Sequence, residues 1–147
     1  MPSNAQQRID NASEMIEHCL KKGIQLSRIH ADLLLFPISV DQEFGNHYLD
    51  AVRGMRDRFG DEIRITGGLS NVSFGLPMRR LINETFISLA MDAGIDSGII
   101  NPVENRIDRV RALDMSSQRV KIAQDMLLGK DEFCMKYISS FREGILG

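Results

Sequence analysis

The chain has 147 residues, 43% hydrophobic and 26% charged, which is the composition of a globular domain rather than a disordered or fibrous protein. Its formal net charge of −2 lacks the basic excess of nucleic-acid-binding proteins. Its apolar stretches are far shorter than the ~20 residues that span a bilayer, and no signal-peptide pattern opens the sequence. We therefore expect one domain over residues 1–147, cytoplasmic, with no nucleic-acid or membrane partner.

Four glycines divide the chain at intervals of 37, 34 and 35 residues: Gly23, Gly60, Gly94 and Gly129. Each follows a stretch of helical periodicity, where a left-handed C-cap favours glycine. A repeat of this length fits one strand plus one helix, so the spacing predicts successive strand–helix units.

The chain is predicted to begin with a helix over about residues 4–22, with Ser3 and Gln6 as a capping box. An apolar strand over residues 29–36 follows, of the kind that is buried on both faces. It ends at Pro37, because proline cannot donate to a sheet ladder.

A second capping box of Ser39 and Gln42 predicts the start of a helix that carries apolar residues from Phe44 to Phe59. The next strand is expected over residues 62–67, followed by a glycine-rich loop over residues 67–75. Pro77 suits the first turn of the following helix. That helix is expected to bury Leu81, Ile82, Phe86, Leu89, Ala90 and Ala93.

A third strand is predicted over residues 97–101, followed by helices near residues 106–113, 116–128 and 131–143. Right-handed crossovers make the three strands parallel neighbours. A closed barrel of this type needs about eight strands. The pattern therefore predicts either part of a larger α/β domain or a protomer that completes itself by association, because three apolar strands leave two uncovered sheet edges.

The most informative stretch is residues 67–83, GGLSNVSFGLPMRRLIN, which joins the end of a strand to the next helix. In parallel α/β folds the active-site loops lie at this end of the strands. From the residues alone the stretch fits a tight turn built from Gly, Ser and Asn, and a phosphate-binding loop is the alternative.

This stretch closely resembles the signature of the pterin-binding methyltransferase barrels, which include the methyltetrahydrofolate–corrinoid methyltransferases and the folate module of cobalamin-dependent methionine synthase. The resemblance covers nearly the whole chain but only the last three of the eight barrel strands. It implies an incomplete TIM barrel, the C-terminal part of a (β/α)8 fold. Further matching stretches are residues 32–37, 93–102, 123–131 and 137–142.

The family transfers a methyl group from N5 of methyltetrahydrofolate to the cobalt of a corrinoid on a partner protein. By resemblance, Asn71 is the catalytic residue that donates a hydrogen bond to N5. The resemblance further implies substrate-binding roles for Gly68, Ser70, Arg79 and Ile99. We expect no bound metal in this chain.

Two positions depart from the family pattern: Asn101 stands where many relatives carry Asp, and Leu33 where many carry Pro. The family's other pterin ligands belong to earlier strands that this chain lacks, and Asp32 and Asp41 are expected to be structural rather than replacements. We therefore expect weak or no activity from the isolated chain. Its expected partners are a corrinoid protein and either the missing N-terminal half-barrel or a second copy of itself.

Two alternatives stay open: a non-catalytic half-barrel that binds a partner chain or a pterin, and another pterin-binding barrel enzyme of the dihydropteroate synthase type. Outside the motif, His18, His30 and His47 lack the spacing of metal ligands, and His18 and His47 are expected to face solvent. Cys19 and Cys134 are expected to be reduced thiols. The basic residues from Arg106 to Lys121 are expected to form a solvated helix face.

Overall fold

A two-stranded parallel sheet organises the computed structural model, which describes residues 1–147. Strand β1 (His30–Asp32) pairs with β2 (Arg64–Thr66), with Ala31 opposite Ile65. Ala31 and Ile65 are buried, whereas His30 and Asp32 are exposed on the other face of β1. The prediction that this strand is buried on both faces is therefore wrong, because no layer of the chain covers the second face.

Six helices accompany this sheet, which confirms the α/β class. They are α1 (Ala5–Lys21), α2 (Phe44–Phe59), α3 (Arg79–Ala93), α4 (Ile107–Arg111), α5 (Gln118–Leu127) and α6 (Met135–Arg142). Helix α1 packs mainly on α2, and α3 lies against α2, α4 and α5. The largest fully buried side chains are Tyr48, Tyr137, Phe86, Leu33, Ile38 and Leu49. Every predicted helix is found, with ends that differ by a few residues.

The prediction that four glycines follow helices in a left-handed conformation is also confirmed. Gly23, Gly60, Gly94 and Gly129 all have positive φ angles, between 66° and 108°. Gly94 shows the purpose: its backbone N–H donates to Ala90 O and Met91 O, which closes the last turn of α3 in a left-handed conformation that a side chain would strain.

The first predicted strand, over residues 29–36, stops at Asp32. The carboxylate of Asp32 accepts a hydrogen bond from the Leu34 N–H at 2.9 Å, and Leu34 takes a φ of 59°. This local bond competes with the sheet ladder and turns the chain. Leu33 and Leu35 are still buried, so the apolar run predicted the burial correctly but not the length of the strand.

The third predicted strand, over residues 97–101, does not form as a regular strand. The segment nevertheless lies beside β2 and its C-terminal extension through three backbone hydrogen bonds. Ser97 N donates to Ile65 O, Ile99 N donates to Gly67 O at 2.8 Å, and Leu69 N donates to Ile99 O at 3.2 Å. The predicted neighbour relation is confirmed, while the count of three strands is wrong.

The predicted helix starts also needed correction. Asn4, not Ser3, caps α1, because its Oδ1 accepts from Gln7 N at 2.9 Å. Ser39 caps no helix, since its hydroxyl donates to Phe74 O at 2.8 Å. Pro77 lies before α3, which begins at Arg79.

The last predicted helix, residues 131–143, is divided. Glu132–Cys134 form a short 3₁₀ turn in which Phe133 and Cys134 have positive φ, and α6 begins only at Met135. Tyr137 is buried, but Phe133 is 79% exposed, so the divided helix does not place these two residues on one apolar face.

His18 and His30 are exposed, whereas His47 is half-buried with its ring 6.4 Å from that of Phe44, so the expectation that it faces solvent is wrong. Cys19 and Cys134 are free thiols. None of the helices has both the length and the apolar character that a membrane crossing requires.

Candidate functional site

The candidate site lies where β2 ends and the glycine-rich loop begins. Residues Leu69–Ser73 form a short 3₁₀ turn directly after Gly67 and Gly68. Leu69, Val72 and Ser73 are buried, whereas Asn71 is exposed and Ser70 is half-buried. The turn therefore anchors itself through its apolar residues and presents its polar ones.

Two glycines allow the close approaches at the start of this loop. A Cβ on Gly67 would lie 2.4 Å from the hydroxyl oxygen of Tyr48, and one on Gly68 would lie 2.9 Å from Asn71 Nδ2. The Tyr48 hydroxyl donates to Thr66 O at 2.9 Å and so supports the loop from below. Burial, with a smaller contribution from the charge of Asp32, raises the pKa of Tyr48, so the hydroxyl remains a donor at neutral pH.

Asn71 is held by both its backbone and its side chain. Its N–H donates to Gly68 O at 3.1 Å, and its carbonyl accepts from Phe74 N at 3.1 Å. Its side-chain Nδ2 donates to Leu35 O at 3.4 Å. Because an amide nitrogen carries two protons, one N–H is directed to Leu35 and the other is available to a ligand.

Arg79, the first residue of α3, braces the same loop. Its Nη2 donates to Ser70 O at 2.9 Å and its Nε donates to Ser73 Oγ at 3.0 Å. The Ser73 hydroxyl in turn donates to Ser70 O at 3.2 Å. The loop backbone at Ser70 is thus fixed from the helix that follows it.

Ile99 forms the opposite side of the site. Its backbone bonds to Gly67 and Leu69 place it beside Gly68, and its side chain is 70% exposed. The structure therefore brings together all five residues singled out in the sequence. They are Gly68, Ser70, Asn71, Arg79 and Ile99.

Asp32 and Asp41 make local turns. The Asp32 carboxylate accepts from Leu34 N, and the Asp41 carboxylate accepts from Glu43 N at 2.9 Å. Asn101, in the loop after Ile99, is exposed, and its Oδ1 accepts from Val103 N at 3.1 Å. The described chain contains no cluster of three His, Cys, Asp or Glu side chains that could hold a metal ion.

Three contributors to the site escaped sequence reasoning: Arg8, Leu35 and Tyr48. Tyr48 was expected only as part of an apolar helix face, and its hydroxyl bond to Thr66 has no sequence signal. Leu35 contributes only its backbone carbonyl. Arg8 lies in α1, and its Nε donates to Leu34 O at 3.3 Å.

No protein-family model matches the chain. The chain is 33% identical to the methylcorrinoid:tetrahydrofolate methyltransferase of Eubacterium limosum, over 100% of this chain and 50% of that protein. It is also 33% identical to the methionine synthase of Mycobacterium tuberculosis, over 84% of this chain and 11% of that protein. The chain thus spans about half the length of the first relative and a small part of the second. Both are the kinds of protein that the glycine-rich loop resembles, so the comparisons confirm the resemblance of the chain to the methyltetrahydrofolate–corrinoid methyltransferases.

Proposed function

We propose that this chain is part of an enzyme that transfers a methyl group between N5 of tetrahydrofolate and the cobalt of a corrinoid held by a partner protein. The active unit would be a complete (β/α)8 barrel, to which this chain contributes β1, β2 and the segment over residues 97–101. The similarity to the Eubacterium limosum methyltransferase supports the reaction class, and the parallel pairing of β1 with β2 supports the barrel.

The observation that carries the proposal is the presentation of Asn71. Its side chain stands exposed at the C-terminal edge of the sheet, on a turn fixed by Arg79 and packed against Gly68. One amide N–H is already oriented by Leu35 O, so the second has a defined direction. A donor that is oriented before the substrate arrives needs no reorganisation during the reaction.

The chemical difficulty lies in the C–N bond. When the methyl group leaves N5, electron density accumulates on that nitrogen, and a hydrogen bond to N5 strengthens as the bond breaks. A donor of this kind stabilises the transition state more than the bound substrate and therefore raises the rate. Because Asn71 does not titrate, its contribution would not depend on its own protonation.

The direction of transfer does not change this role. The name of the Eubacterium limosum relative places the methyl group on the corrinoid at the start and on tetrahydrofolate at the end. The forward and reverse reactions share one transition state, so the same Asn71 donor would serve both. The corrinoid supplies or accepts the methyl group, and the residues of this chain bind and orient the pterin.

Gly68, Ser70, Arg79 and Ile99 would contact the pterin from two sides. Gly68 permits a close backbone approach, and the exposed Ile99 offers an apolar surface to a flat ring. The hydrogen bonds to the pterin edge would come from strands outside this chain, each worth roughly 0.5–1.5 kcal/mol. We therefore expect the isolated chain to bind the pterin weakly and to transfer methyl slowly or not at all.

The test restores those strands by joining the unmatched half of the Eubacterium limosum relative to this chain. Single-turnover transfer between methyltetrahydrofolate and reduced cobalamin is followed by the visible spectrum of the corrinoid. Asn71→Ala is compared with Asn101→Ala, which removes an exposed asparagine of the neighbouring loop. We expect Asn71→Ala to lower the transfer rate ~10²–10³-fold with a smaller effect on pterin affinity, and Asn101→Ala to have little effect.

If Asn71 were only a turn residue, its replacement would lower stability by about 1 kcal/mol and leave the rate per folded molecule unchanged. Thermal melts of the same two variants therefore accompany the rate measurements. A joined protein that binds neither methyltetrahydrofolate nor cobalamin would contradict the proposed reaction itself.

A further inference from the structure

Arg8 of α1 is buried at the edge of the candidate site. It is 2% exposed, and its guanidinium carbon lies 5.2 Å from the ring centroid of Phe36 and 5.8 Å from that of Phe44. Its Nη1 donates to Asn4 O at 3.0 Å and its Nε to Leu34 O at 3.3 Å, while its Nη2 is buried without a hydrogen-bond partner. Burial lowers the pKa of Arg8.

Packing alone does not account for an arginine here. A buried guanidinium with an unsatisfied N–H is less favourable than an apolar side chain of similar volume. Methionine or leucine would also fill the space beside the two aromatic rings, without the attraction between the guanidinium and the ring faces. What an apolar side chain would not supply are the donors to the carbonyls of Asn4 and Leu34, and of these two carbonyls that of Leu34 lies in the segment that contacts the candidate site.

That carbonyl belongs to an unusual piece of backbone. Leu34 has a φ of 59°, in the left-handed region that non-glycine residues rarely adopt. Two hydrogen bonds hold it there: one from its own N–H to Asp32, and one from Arg8 to its carbonyl. Removing the second bond weakens the restraint on the direction of the next peptide unit.

The next carbonyl, that of Leu35, accepts the side-chain N–H of Asn71. A further bond, from Ile38 N to Val72 O at 3.0 Å, ties the same segment to the turn that carries Asn71. Arg8, Leu34, Leu35 and Asn71 thus form a chain of contacts from a buried helix face to the exposed amide. No hydrogen bond joins Arg8 to Asn71 directly.

We propose that Arg8 is a positioning residue, which sets the orientation of the Asn71 side-chain amide through the backbone of Leu34 and Leu35. Its catalytic consequence rests on the proposed function, since it matters for methyl transfer only if Asn71 is the donor to N5. The orientation itself is a property of the chain without substrate and can be measured separately.

The test uses the full 147-residue chain labelled with ¹⁵N. The side-chain amide signals of Asn71 are identified by their loss in Asn71→Asp. Arg8→Met keeps the packing of the stem and removes the donors. The matched control is Arg58→Met, which removes the 2.7 Å ion pair between Arg58 of α2 and Glu17 of α1 and leaves the Leu34 segment untouched.

We expect Arg8→Met to shift the Asn71 amide signals toward those of a freely rotating asparagine and to abolish the proton contact between that amide and Leu35. Arg58→Met should leave both unchanged. A folded Arg8→Met variant with the wild-type Asn71 signals would overturn the proposal.

A reciprocal measurement covers the case in which Arg8→Met does not fold, because it leaves Arg8 in place. The Nε–H signal of Arg8 should move in Asn71→Ala and stay fixed in Asn101→Ala. An Arg8 Nε–H signal that does not move in Asn71→Ala would also overturn the proposal. Neither measurement involves turnover, so a failure of methyl transfer in the joined protein would leave this result standing.

Discussion

Arg56 of α2 links several segments at the end of the sheet opposite the candidate site. The loss of stability expected when Arg56 is replaced follows from its hydrogen bonds and its ion pair. Its Nε donates to Gly94 O at 2.8 Å, and its Nη1 donates to Gly60 O at 3.0 Å and to Ile63 O at 2.9 Å. Its Nη2 pairs with the carboxylate of Asp96. One side chain thus links α2, β2, the end of α3 and the segment that leads to Ile99.

The substitution Arg56→Met keeps most of the apolar stem and removes all four bonds. Hydrogen bonds to three carbonyls contribute about 1 kcal/mol each. The ion pair adds about 1 kcal/mol, since the Arg56 and Asp96 side chains are only 15% and 25% exposed. We therefore expect the free energy of unfolding to fall by about 4 kcal/mol, a large share of the 5–15 kcal/mol of a typical domain.

Urea unfolding followed by circular dichroism measures this change. With a slope of about 2 kcal/mol per molar urea, the midpoint should fall by about 2 M. Arg53→Met is the matched control, because Arg53 lies on the same helix and its only partner is the exposed Asp50. The control should change stability by less than about 0.5 kcal/mol. A loss below about 1 kcal/mol in Arg56→Met would show that the four bonds do not contribute additively to stability.

The same cluster predicts an acid dependence. Burial alone would raise the pKa of Asp96, but hydrogen bonds from Ile65 N and Arg56, with the charges of Arg56 and Arg64, lower it overall. A carboxylate with a lowered folded-state pKa stabilises the protein above the ~3.9 of an unfolded aspartate, and that stabilisation is lost as the pH falls toward the folded-state value. We expect urea midpoints to decline below about pH 4, and to decline less steeply in Arg56→Met.

Three further predictions concern other parts of the chain. Gly45→Ala should destabilise the protein by at least about 2 kcal/mol, because the new Cβ would lie 2.1 Å from the backbone oxygen of Leu127. A calorimetric melt that matches the wild type would contradict this clash. Asp131→Ala should lower stability by about 1–2 kcal/mol, because the carboxylate accepts hydrogen bonds from Lys136 N at 2.9 Å and Tyr137 N at 2.8 Å. Asp131→Asn keeps one acceptor oxygen and should lose less stability in the same thermal melts. The isolated chain should self-associate, because one edge of β1 has no neighbouring strand and unpaired sheet edges pair with other strands. A monomer in analytical ultracentrifugation at low micromolar concentration would exclude this.

The helices were predictable because their signals are local and repeated. Apolar residues at helical spacing, and glycines that permit positive φ after them, depend on no distant contact. The end of β1 was not predictable in the same way. The run from Leu33 to Phe36 contains no turn residue, and the bond from Leu34 N to the Asp32 carboxylate appears only in the folded chain.

In the candidate site, too, some residues could be predicted from the sequence and others could not. The resemblance of residues 67–83 to a family signature singled out Asn71 and its neighbours, and the structure brings those five residues together. The support for them was hidden, because Tyr48 acts through a single hydroxyl and Leu35 through a backbone carbonyl. Arg8 is separated by 63 residues from Asn71 along the sequence and has no motif of its own. Long-range polar contacts of this kind carry no periodic pattern.

The two walls of the candidate site differ in compliance. The wall that carries Asn71 is fixed by Arg79 to α3, in which the seven consecutive residues from Leu81 to Ile87 are all buried, so that helix has little freedom to shift. The wall that carries Ile99 is attached to its neighbours through a few backbone bonds and exposes most of its side chains. Segments with few buried contacts open at the lowest free-energy cost. If a bulky ring binds, residues 97–101 would therefore move to accommodate it, while the Asn71 side chain on the opposite wall keeps its orientation.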